Sequence, residues 1–179
     1  MNFAELNLAL GKPTYASGYE NAGTAPENAT DGLLDTRWSS RFQDGEWITI
    51  DLGKEYGINR VKLYWEAAYA THFDIQTSRN GIEFTTVYSD ANSNGNTQDI
   101  LIPDAPIQAR YVRILCHKRY TAYGSSLYEI EIYGVNLPTD TPSLENNSTK
   151  HNYKYILRNG KIYIVHSGQI YTTLGQPVR

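Results

Sequence analysis

Trp47–Leu52 reads WITIDL, and Gly53 follows it. Ile48, Ile50 and Leu52 fall at every second position, with Thr49 and Asp51 between them. That period of two is the mark of a strand with one face in a core, and Gly53 predicts where it stops. Outward from it, similar runs recur: Ile58–Trp65, His72–Ser78, Ile82–Tyr88, Gln98–Ile102, Arg110–Cys116 and Leu127–Tyr133. The first four are bounded by Gly, Asn, Asp or Pro, and Gly134 closes the last. No stretch of a dozen residues keeps a 3.6-residue apolar period, so long helices are not expected. Short strands at this spacing predict an all-β sandwich or barrel, not βαβ units. The composition agrees, with 15 Tyr against a single Met.

The pattern changes after Gly134. Residues 136–152 open with NLPTDTPSLENNSTK, which has two prolines and no aromatic ring, and read as a linker. Residues 153–179 then alternate again: Tyr153–Leu157, Lys161–Val165 and Gln169–Thr172, with Asn159-Gly160 marking a hairpin turn. The expected organisation is a domain over 1–135, a linker over 136–152 and a small β-hairpin tail over 153–179.

Bulk properties exclude several classes. A net charge of −3 argues against an electrostatic grip on nucleic acid or on anionic lipid. No apolar run approaches the ~20 residues of a membrane-spanning helix. The single Cys116 excludes a disulfide within the chain and a cysteine-based zinc cluster. There is no G-x-S-x-G, no H-E-x-x-H and no Gly-rich phosphate loop. His72, His117, His151 and His166 show no metal-ligand spacing along the chain. No pair of carboxylates suggests glycoside hydrolysis. The expectation is a binding module without catalysis.

Several motifs in order carry a resemblance. NATDGLLDTRWSS at 28–40, EWITIDLG at 46–53, ARYVRI at 109–114 and YGSSLYEIEIYG at 123–134 resemble the coagulation factor 5/8 type C, or discoidin, domain. Val61, Trp65, Phe73-Asp74-Ile75, Ser78 and Gly81 fit between them. The resemblance covers about residues 7–134 and implies an eight-strand antiparallel jelly-roll sandwich. The end-to-end disulfide usual in vertebrate extracellular members is missing, so the chain is most similar to the bacterial branch, carbohydrate-binding module family 32. That branch implies a secreted or surface-bound bacterial protein, expected as a monomer, joined to the catalytic domain of a glycan-degrading enzyme. The tail resembles short C-terminal sorting signals of exported proteins in Gram-negative polysaccharide degraders.

The resemblance also implies a structural calcium ion. Carbonyls would come from Asn28, Leu33 and Tyr128, and side chains from Asp31, Thr36 and Glu129. On the residues alone, Asp31-Gly32 with Thr36 offers oxygen donors on a tight turn, as a hard cation requires. The same residues also fit an Asx turn, with Glu129 as a solvated strand residue.

The ligand of such domains lies on loops at one rim. Here those loops carry Tyr19, Glu20, Arg41, Phe42, Glu66, Tyr69, Lys118, Arg119, Tyr120 and Tyr123. Rings beside charged groups on four loops suit sugars, which stack on aromatic faces and hydrogen-bond through hydroxyls. The residues expected to touch ligand are Tyr19, Arg41, Phe42, Glu66, Tyr69, Arg119, Tyr120 and Tyr123. Trp38 and Trp47 read as core, Trp65 as core or rim, and Arg110 and Arg113 as partners of carboxylates such as Asp51 or of edge carbonyls. WEAAYA at 65–70 and KRYTAYGSSLYE at 118–129 resemble modules on glucan-degrading enzymes, which puts a neutral glucan first, then galactose or N-acetylhexosamine glycans. Adhesion to a protein or a membrane through the same loops is the alternative.

Overall fold

The computed structural model describes residues 6–137, the strands Tyr153–Arg158, Lys161–His166 and Gln169–Thr172, and Val178. The chain forms two compact units, Met1–Thr139 and Asp140–Arg179.

The described residues of the first unit form eight strands: β1 (Thr14–Ala16), β2 (Trp38–Ser39), β3 (Glu46–Trp65), β4 (Ala70–Ser78), β5 (Thr85–Asp90), β6 (Thr97–Leu101), β7 (Ile107–Arg119) and β8 (Ser126–Asn136). All pairings are antiparallel, in the order β2-β8-β3-β7-β4-β5, with β1 and β6 also on β3. This is the discoidin-like sandwich that the sequence implied. The long β3 joins its layers: its first half pairs with β1 and β7, its second with β6 and β8.

The WITIDL pattern has the structural meaning expected of it. Ile48, Ile50 and Leu52 are 0–1% exposed, and burying each contributes about 1.5–3 kcal/mol. Gly53, however, does not end the strand. It takes a φ of 84° within β3, and the pairing to β7 slips between Asp51 and Tyr56. A second slip on β8 lies between Ile58 and Arg60, and the buried apolar side chains change from even positions (48, 50, 52, 58) to odd ones (61, 63, 65). One inserted residue moves every later side chain to the other face, so the bulge turns one strand into two half-strands serving different layers. Trp38, Phe73, Ile75, Val112, Ile114, Leu127, Ile130 and Ile132 complete the core.

Strands β1 and β2 have no counterpart in the sequence reading, and β5 begins at Thr85, leaving Ile82 83% exposed. Strand β8 runs through Asn136, one residue into the expected linker. Residues 138–152 of that linker and the Asn159-Gly160 turn lie outside the described residues. The described residues of the second unit form a three-stranded antiparallel meander, β9 (Tyr153–Arg158), β10 (Lys161–His166) and β11 (Gln169–Thr172), one strand more than a hairpin. No helix among the described residues is long and apolar enough to cross a membrane.

Candidate functional site

The four loops singled out in the sequence meet at one end of the sandwich. Strand β3 begins there at Glu46, opposite Cys116, β7 ends there at Arg119, and β4 begins there at Ala70. Backbone bonds knit the loops together. Glu20 N–H donates to Ser39 O, Tyr120 N–H to Tyr69 O, Glu66 N–H to Ser126 O, and Ser126 N–H to Ala68 O. Gly124 is where two loops press closest: a Cβ there would lie 2.3 Å from the Ser40 carbonyl oxygen. Only glycine fits that approach.

Rings stand on this frame as two pairs. Phe42 and Tyr123 meet edge to face at 5.7 Å, and Tyr69 stacks on Tyr120 at 4.5 Å with planes 17° apart. Phe42, Tyr120 and Tyr123 are 50–64% exposed, and Tyr19 is 49% exposed. Half-exposed rings of this kind form a platform rather than a cavity. Trp65 belongs to the core, 5% exposed and packed on Phe73, with its indole N–H on Gln98. Trp38 is fully buried and donates to the Gly18 carbonyl, which fixes the loop carrying Tyr19.

The charged groups divide by role. Arg41 donates to both carboxylate oxygens of Glu46 and to Ser17 O. Glu46 is 1% exposed and also accepts from Ser17 and Gln43. Burial would raise its pKa, but those donors outweigh it and hold the carboxyl below its usual range. Arg119 pairs with Asp44 at 2.9 Å and donates to the carbonyls of Ala122 and Tyr123. The Arg119 backbone amide and guanidinium keep the Asp44 carboxyl below its ordinary pKa. Both arginines therefore hold loops in place, and Asp44 and Glu46 are their partners. The sequence reading singled out neither acid, because each sits beside a turn glycine and reads as loop polarity. Glu66 accepts from Ala68 N–H at 2.8 Å, and Glu20 is exposed. Neither has an ion-pair partner among the described residues.

The expected metal-binding residues also converge in part. Asp31 accepts from Leu33 N–H at 2.9 Å and from the Thr36 hydroxyl at 2.7 Å. Gly32, at φ 82°, donates its N–H to Glu129 Oε2 at 3.2 Å. The Asx-turn bond of Asp31 is thus present, but Glu129 is not a solvated strand residue. It is 3% exposed, and its Oε1 is buried with no hydrogen-bond partner. Burial pushes its pKa up to about 7, and the negative charge of Asp31 adds to the rise. A buried carboxylate oxygen left orphaned beside a second carboxylate and a hydroxyl fits a hard cation. Asn28 turns its side-chain amide to Gly23 O and Arg37 O, while Leu33 is exposed and Tyr128 is half-buried. Asp31, Thr36 and Glu129 are brought together.

Elsewhere, Arg110 grips Asp51 through two bonds of 2.7 and 2.8 Å, as expected. Arg113 instead lies over the rings of Phe84 and Trp47 at 3.6 and 4.3 Å and bonds the Thr49 hydroxyl, so its partner is aromatic and not a carboxylate. Grooves of about 460 and 270 Å³ lie away from the rim, lined by residues such as Thr77, Asn80 and Ile107, and Trp47, Gly81 and Tyr111.

Known proteins place this architecture. The F5/8 type C domain family matches residues 13–130. The chain belongs to the F5/8 type C family. It is 44% identical to chitosan-binding module 2 from a chitosanase/glucanase of Paenibacillus sp. IK-5, solved with chitotriose; the match covers 72% of this chain and all of that one, with a TM-score of 0.69. The family 32 module of Clostridium perfringens NanJ, solved with galactose, shares the fold at 18% identity and a TM-score of 0.63, over 72% of this chain and 97% of that one. A polysaccharide lyase 8 family protein, HylA of Enterococcus faecalis, is 29% identical over 130 residues, 69% of this chain but 9% of that protein. This F5/8 type C domain is a binding module, not an enzyme.

Proposed function

We propose that the rim binds a glucosamine-containing glycan of the chitosan type. The carrying observation is how charge is distributed there. Each rim arginine is neutralised by its own carboxylate, Arg41 by Glu46 and Arg119 by Asp44. Glu20 and Glu66 are left without such partners, beside rings that offer stacking faces. Carboxylates accept charge-assisted hydrogen bonds from protonated amines, and the exposed rings lie against sugar faces. The similarity to a chitosan-binding module supports this choice. It moves an amino-sugar glycan ahead of the neutral glucan that the sequence reading put first.

Calorimetric titration with glucosamine oligomers, laminari-oligosaccharides, galactose and N-acetylhexosamines tests the proposal. Glucosamine trimers should bind with a Kd on the order of 10–1000 µM, because a shallow platform buries little of a polar ligand. Rising salt should weaken that binding. Neutral sugars binding as tightly, with no salt dependence, would reject the amino-sugar reading. Binding to protein baits or liposomes alone would favour adhesion.

The same reading includes a structural Ca²⁺ held by Asp31, Thr36 and Glu129, with carbonyls of Asn28, Leu33 and Tyr128. It would neutralise two adjacent carboxylates and fasten β8 to the loop leading into β2. The module would serve a secreted or surface-bound glycan-degrading enzyme by keeping its catalytic domain near the polymer, raising effective concentration. The three-stranded tail would be a sorting signal. If export and surface display persist after deletion of residues 140–179, that role is removed.

A further inference from the structure

Strands β4 and β7 bring together three side chains that no role above uses: His72, Asp74 and His117. One ligand atom from each lies within 4.8 Å of the others. The two imidazole rings pack with centroids 4.5 Å apart, and His117 Nε2 lies 2.9 Å from Asp74 Oδ2.

The cluster is a product of register, which is why spacing along the chain did not show it. His72 and Asp74, two apart on β4, share a face, while Phe73 and Ile75 between and beyond them enter the core. Opposite them the pairing skips: His72 faces Lys118, but Phe73 faces Cys116. His117 is the extra residue of a β-bulge, and Cys116 beside it stays buried. Bulges re-aim side chains, and this one brings the His117 ring to the His72–Asp74 face.

We propose that His72, Asp74 and His117 form a site for a divalent transition metal, with Zn²⁺ as its reference ion. Two imidazoles and one carboxylate suit zinc and its neighbours and are a poor set for Ca²⁺, which takes oxygens. Ligands about 2.0–2.2 Å from one tetrahedral centre lie roughly 3.3–3.5 Å apart, so side-chain rotation of about an ångström closes the site. The carboxylate is already oriented, since Ser89 donates to Asp74 Oδ1 at 2.5 Å and Thr86 to Oδ2 at 3.2 Å. Hydroxyls holding a carboxylate in this way are the usual outer support of a metal ligand. The Asp74 side chain is 13% exposed and that of His117 35%, leaving an open side for water or another donor. An ion here would clamp the ends of β4 and β7 next to the Tyr69–Tyr120 stack. The site is distinct from the oxygen cluster at Asp31 and Glu129.

The test is Zn²⁺ titration of the full chain in saturating Ca²⁺, by competition with a chromophoric chelator. One Zn²⁺ should bind with a Kd on the order of micromolar and raise the melting temperature. His72→Ala and His117→Ala should each weaken it at least tenfold, a loss typical of removing a metal ligand or its support. The His72 side chain makes no hydrogen bond among the described residues, so its variant should melt like the parent without zinc and remains informative even if His117→Ala unfolds. A double His151→Ala, His166→Ala variant should bind unchanged. Binding no tighter than millimolar, or lost with the tail histidines but kept in His72→Ala, would overturn the site.

Discussion

At one end of the sandwich, half-exposed rings stand on interlocked loops whose arginines are paired within the rim. At the other end, nine residues along β4, lies the groove of about 460 Å³ between Thr77, Asn80, Thr85 and Ile107. Nine strand residues span roughly 26 Å, so the two regions are independent surfaces. The groove has no ring platform of the rim's kind. The rim has rings, and in Glu20 and Glu66 carboxylates with no ion-pair partner among the described residues. A polysaccharide must pass across its binder with both ends free, and a platform open at both edges allows that where a closed pocket does not.

The sharpest way to break this contrast is to alter each end in turn. Glu66→Ala should weaken glucosamine-oligomer binding roughly 10- to 150-fold, the loss expected for a charge-assisted hydrogen bond of about 1.5–3 kcal/mol. Tyr123→Ala and Phe42→Ala should cost roughly 2- to 12-fold each, from a ring contact of about 0.5–1.5 kcal/mol. Glu83→Ala and Thr85→Ala, exposed at the groove, should leave affinity unchanged. Calorimetry on the five variants decides it, and an effect at Glu83 or Thr85 matching that at Glu66 would erase the contrast.

A second effect, on stability and not on affinity, concerns the support beneath the rim. If Asp31 and Glu129 hold Ca²⁺, saturation to 100 times Kd adds about 2.7 kcal/mol, or roughly 10 °C in Tm for a domain of this size. Chelator should remove that increment, and Asp31→Ala should abolish the sensitivity. Identical melts of the parent with and without chelator would refute the ion.

The smallest effect belongs to the far end, where the Arg110 bonds depress the Asp51 pKa against the cost of its burial. A depressed carboxylate stabilises the fold above its unfolded pKa of about 3.9, and that stability is lost as pH falls through the folded value. The stability gap between the parent and Asp51→Asn should therefore be full near neutral pH and close below about pH 4. Denaturant melts across pH measure it, and glycan affinity at neutral pH should be equal in the two proteins.

How much of this was legible in the sequence depends on what each feature requires. Strands with three or more alternating apolar residues, such as Ile48–Leu52, announced themselves. Strands β1 and β2, of three and two residues, are too short to show a period. Gly53 read as a stop because a bulge and a turn use the same residue. The Asp31–Thr36 loop is local and was visible, but Glu129 lies 97 residues from Gly32 and came only through resemblance. Sequence put the rim's rings and arginines on the same four loops, and the structure pairs Phe42 with Tyr123 and Tyr69 with Tyr120. Sequence did not show that the arginines were already paired: Asp44 meets Arg119 only when β3 and β7 align, and Arg41 reaches Glu46 only when the loop between them folds back. The His72–Asp74–His117 cluster depends on one skipped residue in a strand pairing, and no spacing rule contains that information.

The central claim is that the rim, not the groove, receives the glycan. Amide chemical shifts of the ¹⁵N-labelled chain followed during titration with chitotriose test it most directly. The account predicts shifts concentrated in residues 18–21, 41–45, 66–71 and 118–124, with 77–87 and 107–108 unmoved. Shifts centred on 77–87 and 107–108, with the rim silent at saturation, would contradict it.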